Sequence, residues 1–159
     1  MCGRGRLLAV FYHEGIPSSD GTQKLGYTLF DACCPSSIRV LSKGSVSCIS
    51  KGASLMWVGF SNDFALVAMD TDGMLSMLVV AGDNAADSTL FPWEWTPVLD
   101  TVGLRKSASD RFWPVTVYDG KFVCVPLKGG ASYPDAARRP VTTTLNLRLP
   151  LARSLIPVR

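Results

Sequence analysis

Residues that could carry chemistry are few and scattered in this sequence. His13 is the only histidine, so a catalytic triad or a histidine-containing metal site would rest on it alone. Cys33 and Cys34 precede Pro35 and would form a reactive thiol site if a nearby cation lowered a pKa. We interpret His13 as a surface or strand-end residue and the two cysteines as buried or half-buried thiols. An enzyme that uses Cys33 or Cys34 with His13 is kept as a third hypothesis.

Two further patterns resemble catalytic or phosphate-binding motifs. Asp70 and Asp72 could form a carboxylate pair for acid–base chemistry, but an Asp close to a Gly is more simply explained as a turn former. The segment "KGGASYPDAARRP" at 128–140 has adjacent glycines without the G-K-S/T of a phosphate-binding loop. The sequence therefore predicts no catalytic residue, no metal ligand and no cofactor.

Two other clusters are suited to binding. "FPWEWTP" at 91–97 places three aromatic residues at alternate positions, where they could stack on bases or anchor a partner. Such residues more often fill a core, and we expect Trp93 to be the exposed one. Arg138 and Arg139 lie on a loop before the last strand and could face phosphates. Direct nucleic-acid binding through these arginines and aromatics is therefore the alternative function.

Composition indicates one folded domain. The chain has 159 residues, of which 47% are hydrophobic and 18% charged, so it can bury a core and does not resemble a disordered chain. Its net charge of +3 is too small to indicate nucleic acid by itself. Five irregularly spaced cysteines and no N-x-S/T sequon favour a reducing compartment. We find no segment near the ~20 apolar residues of a membrane span and expect a soluble intracellular protein.

The elements that would position these residues are predicted strands. Each is short, rich in Val, Leu, Phe, Tyr or Thr, and bounded by Gly, Pro, Ser or Asp. No segment carries an apolar stripe of helical period, so the fold class is all-β. Asp72-Gly73 and Asp119-Gly120 are predicted hairpin turns. The ten predicted strands are 6–13, 25–32, 37–41, 54–60, 65–70, 75–80, 96–100, 113–118, 121–127 and 141–149.

The faces of these strands predict stacked sheets. Strands 75–80 and 121–127 are mostly apolar on both sides, whereas 141–149 alternates between apolar and polar residues. Strands that are covered on both sides occur in a sandwich or in a propeller. The two Asp-Gly turns are 47 residues apart, and Trp-bearing strands precede both, which favours propeller blades. The β-sandwich remains the alternative.

We therefore predict a partial β-propeller of about three blades over 1–152 and a short tail at 153–159. Propellers close with about 4–8 blades, so three blades leave two apolar faces without a neighbour. Either another chain or more of the same protein would cover them, and we expect the isolated chain to associate or aggregate. Eight residues are predicted to set turns and fill gaps between blades: Trp57, Gly59, Phe60, Asp72, Gly73, Trp95, Trp113 and Gly120.

An ordered set of short motifs resembles a known family. The set reads W-x-G-F-S at 57–61, D-x-D-G at 70–73, W-x-P at 95–97, F-W-x-V at 112–115, C-x-x-L-K at 124–128, and a long strand from Pro140 to L-P at 149–150. From about Leu7 to Ala152 the chain is similar to the second half of the middle propeller of the replisome adaptor family. That family comprises the WD-repeat and HMG-box DNA-binding protein, also called acidic nucleoplasmic DNA-binding protein 1, and its chromosome transmission fidelity relative.

The resemblance implies a six-bladed propeller followed by a helical bundle, assembled as a trimer. It implies a nuclear, non-enzymatic scaffold that links the replicative helicase to the priming DNA polymerase on chromatin. The family captures client peptides through a groove in the helical bundle. After "LRLPLA" this sequence reads "RSLIPVR", so we expect no bundle here and assign that groove to no residue of this chain.

Overall fold

The computed structural model describes residues 1–19, 24–33, 37–80, 93–137 and 139–148. These ranges contain eleven strands and one short 3-10 helix, Val102–Leu104. A helix with the length and apolar character needed to span a membrane is not found in these ranges. The strands are β1 (Cys2–Arg4), β2 (Leu7–Glu14), β3 (Lys24–Asp31), β4 (Arg39–Ser45), β5 (Leu55–Phe60), β6 (Leu66–Asp70), β7 (Met74–Val80), β8 (Trp93–Asp100), β9 (Arg111–Tyr118), β10 (Lys121–Leu127) and β11 (Thr143–Asn146).

Consecutive strands form three antiparallel sheets. Sheet A contains β1 to β4, sheet B contains β5 to β8, and sheet C contains β9 to β11, each in chain order. The first strands of successive sheets contact one another, β1 with β5 and β5 with β9. This arrangement agrees with propeller blades whose inner strands meet near a common axis. The prediction of an all-β, partial propeller with about three blades is confirmed.

Sheet B lies between the other two sheets and is covered on both faces. All five residues of β6 are buried, as the apolar character of both faces in the sequence required. One core joins sheets A and B and includes Tyr27, Leu29, Phe60, Leu78 and Trp95. The other core joins sheets B and C and includes Met69, Leu75, Met77, Phe122 and Cys124.

The outer face of sheet A carries apolar residues that nothing in the described ranges covers. Residues of β2 alternate, with Leu7 and Ala9 in the core and their neighbours on the other side. In the strand register, Leu8 of β2 lies opposite Phe30 of β3, and Phe30 lies opposite Val40 of β4. Val40 is 52% exposed, while the other members are half-buried. We define the outer face of sheet A by Leu8, Val10, Tyr12, Phe30 and Val40.

The spacing argument behind the predicted repeat is wrong. Asp72-Gly73 joins the second and third strands of sheet B, whereas Asp119-Gly120 joins the first and second strands of sheet C. The two turns are therefore not equivalent, and 47 residues is not the blade period. First strands begin at Cys2, Leu55 and Arg111, which gives periods of 53 and 56 residues. Trp57 and Trp113 do lie on equivalent first strands.

Strand limits differ most where the sequence signal was weak. Strand β1 was not predicted because three residues, Cys-Gly-Arg, carry no alternation. The predicted strand 141–149 is shorter in the structure, since β11 ends at Asn146. The predicted tail, 153–159, lies outside the described residues.

Candidate functional site

The candidate reactive residues do not meet. His13 is exposed and pairs with Leu25 at one end of the β2–β3 hairpin. Cys33 is exposed just beyond the other end, where Asp31 pairs with Leu7. Six residues at ~3.3 Å each separate the two ends by roughly 20 Å. A Cys33–His13 dyad is therefore excluded, and Cys34 lies outside the described residues.

The buried thiols are poor nucleophiles. Burial raises the pKa of Cys48 to about 12 and that of Cys124 to about 11, so their thiolates are scarce at neutral pH. Within the ranges that the structure describes, no three His, Cys, Asp or Glu side chains are grouped as a metal site.

Asp70 organises the turn between β6 and β7. It is buried, with 1% of its surface exposed. Its Oδ1 accepts hydrogen bonds from the backbone N–H groups of Gly73 and Met74, both at 2.9 Å. Its Oδ2 accepts from the Ser50 N–H at 3.0 Å and from the Ser50 hydroxyl at 2.6 Å. The carboxylate thus ties the linker between sheets A and B to a turn of sheet B.

These bonds explain the ionisation of Asp70. Burial by itself raises the pKa of this carboxyl. Hydrogen bonds from Ser50, Met74 and Gly73 stabilise the charged form and outweigh burial, so the pKa of Asp70 lies below its ordinary value. Asp70 is a structural anion and has no free oxygen with which to act as a base.

Gly73 must be glycine in this turn. Its φ is +97°, and a Cβ there would contact Thr101 Oγ1 and lie 2.9 Å from Arg105 Nη2. Instead the Gly73 carbonyl accepts from the Thr101 hydroxyl at 2.8 Å, and Arg105 Nη2 donates to the Asp72 carbonyl at 2.6 Å. Asp72 is exposed and contributes its backbone carbonyl to these contacts. The turn therefore also fixes the start of the segment that leads to sheet C.

The predicted blade residues of sheet B occupy the two cores. Trp57 packs against the core between sheets B and C, and its ring covers Gly59, where a Cβ would lie 2.5 Å from Trp57 Cζ2. Phe60 is buried in the other core, as is Trp95. The Trp95 ring meets Tyr27 edge-on with centroids 5.5 Å apart.

The structure describes only some of the residues that were predicted to contact partners. Trp93, expected to be exposed, is half-buried and packs against the core between sheets A and B. Phe91, of the same aromatic run, and Arg138 lie outside the described residues. Arg139 is exposed. The surface predicted from Trp93 and the two arginines therefore stays a prediction.

Three turns that follow the first strands form a continuous surface, which we call the first-strand rim: residues 5–6, 61–65 and 119–120. The Arg4 guanidinium lies 5.7 Å from the Phe64 ring centroid, and Asn62 Oδ1 accepts from the Asp119 N–H at 2.8 Å. The rim thus connects all three sheets by direct contacts.

Backbone conformation marks the first-strand rim as unusual. Phe64 and Asp119 are non-glycine residues with positive φ, at 64° and 50°. For a bulky residue such as Phe this conformation is strained, and strain of this kind concentrates at functional sites. Sequence reasoning missed Phe64, although Asn62-Asp63 ahead of it is a turn signal. The rim is the candidate functional site.

Sheet C carries the remaining predicted residues. Gly120 has φ of 66°, and its carbonyl accepts from the Leu147 N–H at 3.0 Å. Trp113 is half-buried, and it meets Tyr133 with ring centroids 5.6 Å apart. Phe112, the preceding residue, packs against the core between sheets B and C instead.

Comparisons with known proteins agree on one family. The family model described as "Minichromosome loss protein, Mcl1, middle region" matches residues 1–151. The chain is 34% identical over 143 residues to minichromosome loss protein 1 of Schizosaccharomyces pombe, covering 87% of this chain and 16% of that protein. It is 28% identical over 152 residues to human WD repeat and HMG-box DNA-binding protein 1, covering 94% of this chain and 12% of that protein. Protein ENHANCER OF LHP1 1 of Arabidopsis thaliana is 28% identical over 149 residues, with 92% and 14% covered. The chain therefore spans 12% to 16% of the length of these relatives.

Proposed function

This chain belongs to the family defined by the middle region of minichromosome loss protein Mcl1, and we propose that it is a propeller module that holds proteins together during DNA replication. The proteins of this family are replication-related, non-enzymatic WD-repeat adaptors. The prediction that the chain is not an enzyme agrees with the family. The proposal rests on the family match over residues 1–151, together with the fold of the chain as three blades.

In the proposed role, the chain links the replicative helicase to the priming DNA polymerase on chromatin in the nucleus. These partners, the location and a trimeric assembly come from the resemblance to the adaptor family. The peptide groove of that family is in a helical bundle, which none of the described residues forms. A contact made by this chain itself would therefore use a blade surface.

The mechanism that we propose is rigid surface presentation. Sheet B is fixed by two cores, and the Asp70 and Gly73 contacts hold its turn and the linkers on either side. Loops that are held in this way present side chains in constant positions, so little entropy is lost when a partner binds. The first-strand rim is the best candidate for the contact, because direct bonds connect its three turns.

Affinity capture from replicating cells tests this proposal. We expect the tagged chain to recover helicase or DNA polymerase α-type components from S-phase nuclei after cross-linking. Asp63 is exposed on the first-strand rim, whereas Asp72 is exposed on the turn at the opposite end of β6. Asp63→Lys should reduce recovery several-fold, and the matched control Asp72→Lys should not.

Two results would contradict the proposed function. Recovery of no helicase, polymerase or chromatin component above an untagged control would exclude the adaptor role for this chain. Equal recovery of partners by the Asp63→Lys variant and the wild type would exclude the first-strand rim as the contact. The other blade surfaces would then be the candidates.

A further inference from the structure

Two side chains of opposite charge lie close together at the first-strand rim without neutralising each other. Arg4 is the last residue of β1 and borders the rim, and Asp63 lies in the turn that follows β5. Both side chains are exposed. Among the described residues, Arg6 forms an ion pair with Asp31 at 3.3 Å, whereas Arg4 and Asp63 form none. Other contacts hold these two charges in place, and we call them the Arg4–Asp63 pair.

An aromatic ring positions the Arg4 guanidinium. The guanidinium lies over the Phe64 ring, 5.7 Å from the ring centroid, and the ring itself packs against the core between sheets A and B. Gly5 leaves room for the ring, because a Cβ at Gly5 would lie 3.3 Å from Phe64 Cε1. A guanidinium that is stacked on a ring keeps the N–H groups at its edge available, and these donors match the two oxygens of a carboxylate.

Backbone and hydroxyl contacts fix the turn that carries Asp63 and Phe64. Ser61 is buried, and its N–H donates to the Ala65 carbonyl at 2.9 Å. The Ser61 hydroxyl accepts from the Ala65 N–H at 3.1 Å, and the Phe64 N–H donates to the Ser61 carbonyl at 3.1 Å. The turn itself, and not a bound partner, therefore maintains the strained φ of 64° at Phe64.

A side-chain amide positions the Asp63 carboxylate. Asn62 Nδ2 donates to Asp63 Oδ1 at 2.9 Å, and Asn62 Oδ1 accepts from the Asp119 N–H at 2.8 Å. The orientation of the amide is fixed because each of its ends has a partner. Within the part of the chain that the structure describes, Asp63 Oδ2 accepts no hydrogen bond, so it can accept from another molecule.

The Arg4–Asp63 pair is therefore oriented before any partner binds. Arg4 lies over the ring of the residue that follows Asp63, so we expect the two charged groups to be on the order of 10 Å apart, which is about three residues of an extended chain. Side chains that are already held in place lose little entropy on binding. Complementary charges determine which partner binds and in which direction its chain runs.

We propose that the Arg4–Asp63 pair binds a segment of a partner protein that carries one acidic and one basic side chain, about two to four residues apart. The acidic side chain would accept two hydrogen bonds from Arg4, and the basic side chain would donate to Asp63. An apolar side chain between them would contact the half-buried Phe64 ring. A polyanion would match Arg4, but the carboxylates of Asp63 and Asp119 would repel it.

This inference rests on the proposed function, in which the first-strand rim contacts other proteins, and it adds the chemistry of that contact. The Arg4–Asp63 pair lies where sheets A and B pack together. It is therefore not part of an outer face of sheet A or sheet C that a further blade would cover.

Selection from a displayed library of random twelve-residue peptides tests the inference on the purified 159-residue chain. Peptides that the wild type retains at 50 mM salt are counter-selected against the double variant Arg4→Gln/Asp63→Asn. We expect the remaining peptides to be enriched in an acidic and a basic residue two to four positions apart. Their binding should weaken at 300 mM salt, because exposed charge pairs are screened.

Single substitutions measure each contact with the tightest selected peptide, by fluorescence anisotropy. Arg4→Gln and Asp63→Asn should each weaken binding about three-fold or more. Arg4→Lys keeps the charge but lacks the planar pair of donors, so it should also lose affinity. Arg111→Gln is the matched control, because Arg111 is exposed at the opposite end of β9 from the rim, and it should change affinity less than two-fold.

Exchange of the two charges tests whether both face the same segment. The double variant Arg4→Glu/Asp63→Lys should lose the selected peptide and should bind a peptide in which the acidic and basic residues have changed places. Both side chains are exposed, so the variant should fold, which circular dichroism verifies.

Four outcomes would overturn the inference. One is that no peptide distinguishes the wild type from the neutralised double variant, and another is equal losses for Arg111→Gln and Arg4→Gln. Equal binding of a poly-glutamate peptide would show that Asp63 takes no part. Failure of the charge-exchanged variant to prefer the exchanged peptide would show that the two residues do not face one segment.

The adaptor role can fail separately from this inference. Recovery of replication proteins that requires Asp63 but not Arg4 would support the adaptor role and remove the inference. Selection of peptides with paired charges, without recovery of any replication protein, would support the inference and remove the adaptor role.

Discussion

At the residue scale, a few side chains hold distant parts of the chain together. Asp70 joins the linker at Ser50 to the turn at Gly73 and Met74. Gly73 joins that turn to Thr101. Because these groups are buried or half-buried, losing one of them leaves unpaired donors or acceptors in a poorly hydrated place.

Asp70→Asn should destabilise the fold. The amide cannot accept the four hydrogen bonds that the carboxylate accepts, so we expect a loss of about 1–3 kcal/mol in the free energy of unfolding. Asp72→Asn is the control, because Asp72 is exposed and contributes its backbone carbonyl; its effect should stay within about 0.5 kcal/mol. Urea unfolding followed by tryptophan fluorescence measures both. Equal effects of the two substitutions would contradict the role of Asp70.

The same carboxylate predicts how stability depends on pH. The folded-state pKa of Asp70 lies below its ordinary value of 3.8. Its contribution is therefore complete above the unfolded pKa and is lost as the pH falls through the lower folded value. The stability difference between wild type and D70N should be full at pH 7 and shrink below about pH 4. A difference that stays constant down to pH 2 would show that folding does not lower the pKa of Asp70.

Gly73→Ala should be among the most disruptive single substitutions. Its positive φ and the contact with Thr101 leave no place for a Cβ, so we expect a loss of more than about 2 kcal/mol. Gly103 is the control, since its Cβ would meet nothing within 4 Å and its φ is not positive. Gly103→Ala should change the unfolding free energy by less than about 1 kcal/mol. A small effect at Gly73 would mean that the turn is not built as described.

Sequence reasoning located this turn but did not distinguish its carboxylates. The order Asp-Thr-Asp-Gly predicted a turn and placed Gly73 correctly, because glycine is the residue that tolerates such a φ. Asp72 was selected as a structural residue, whereas Asp70 accepts the hydrogen bonds. Which carboxylate points inward depends on where Ser50 comes to lie, and Ser50 is 20 residues away in sequence.

At the element scale, sheet B is the central element. Strands β6 and β7 have both faces in a core, and their sequences showed this as apolar runs without alternation. The strand types and most hairpins could therefore be predicted. The blade period could not, because the loops differ in length between sheets and Asp-Gly occurs in different hairpins of sheets B and C.

Both faces of β7 should contribute to stability. Met77 lies in the core with sheet C and Leu78 in the core with sheet A. Met77→Ala and Leu78→Ala should each cost about 2–5 kcal/mol. Met56→Ala is the control, because Met56 is 38% exposed and should cost much less. If one of the two β7 substitutions proved nearly neutral in thermal or urea unfolding, one of the two cores would be absent.

At the scale of the whole molecule, three blades present two outer faces with different character. The outer face of sheet A is apolar, while that of sheet C combines the apolar Val125 and Leu127 of β10 with exposed residues such as Lys121 and Tyr118. An apolar face indicates that another surface covers it, but it does not identify the molecule that does so. The family match therefore adds information that the strand pattern lacks.

Analytical ultracentrifugation of the purified 159-residue chain tests the central claim, three stacked blades with an uncovered apolar face on sheet A, most directly. We expect association that increases with concentration and that Val40→Lys weakens at least several-fold, because Val40 is 52% exposed on that face. Val102→Lys, at a residue that is 49% exposed outside it, should have no effect. A monomer at every concentration, or equal effects of the two substitutions, would contradict the account.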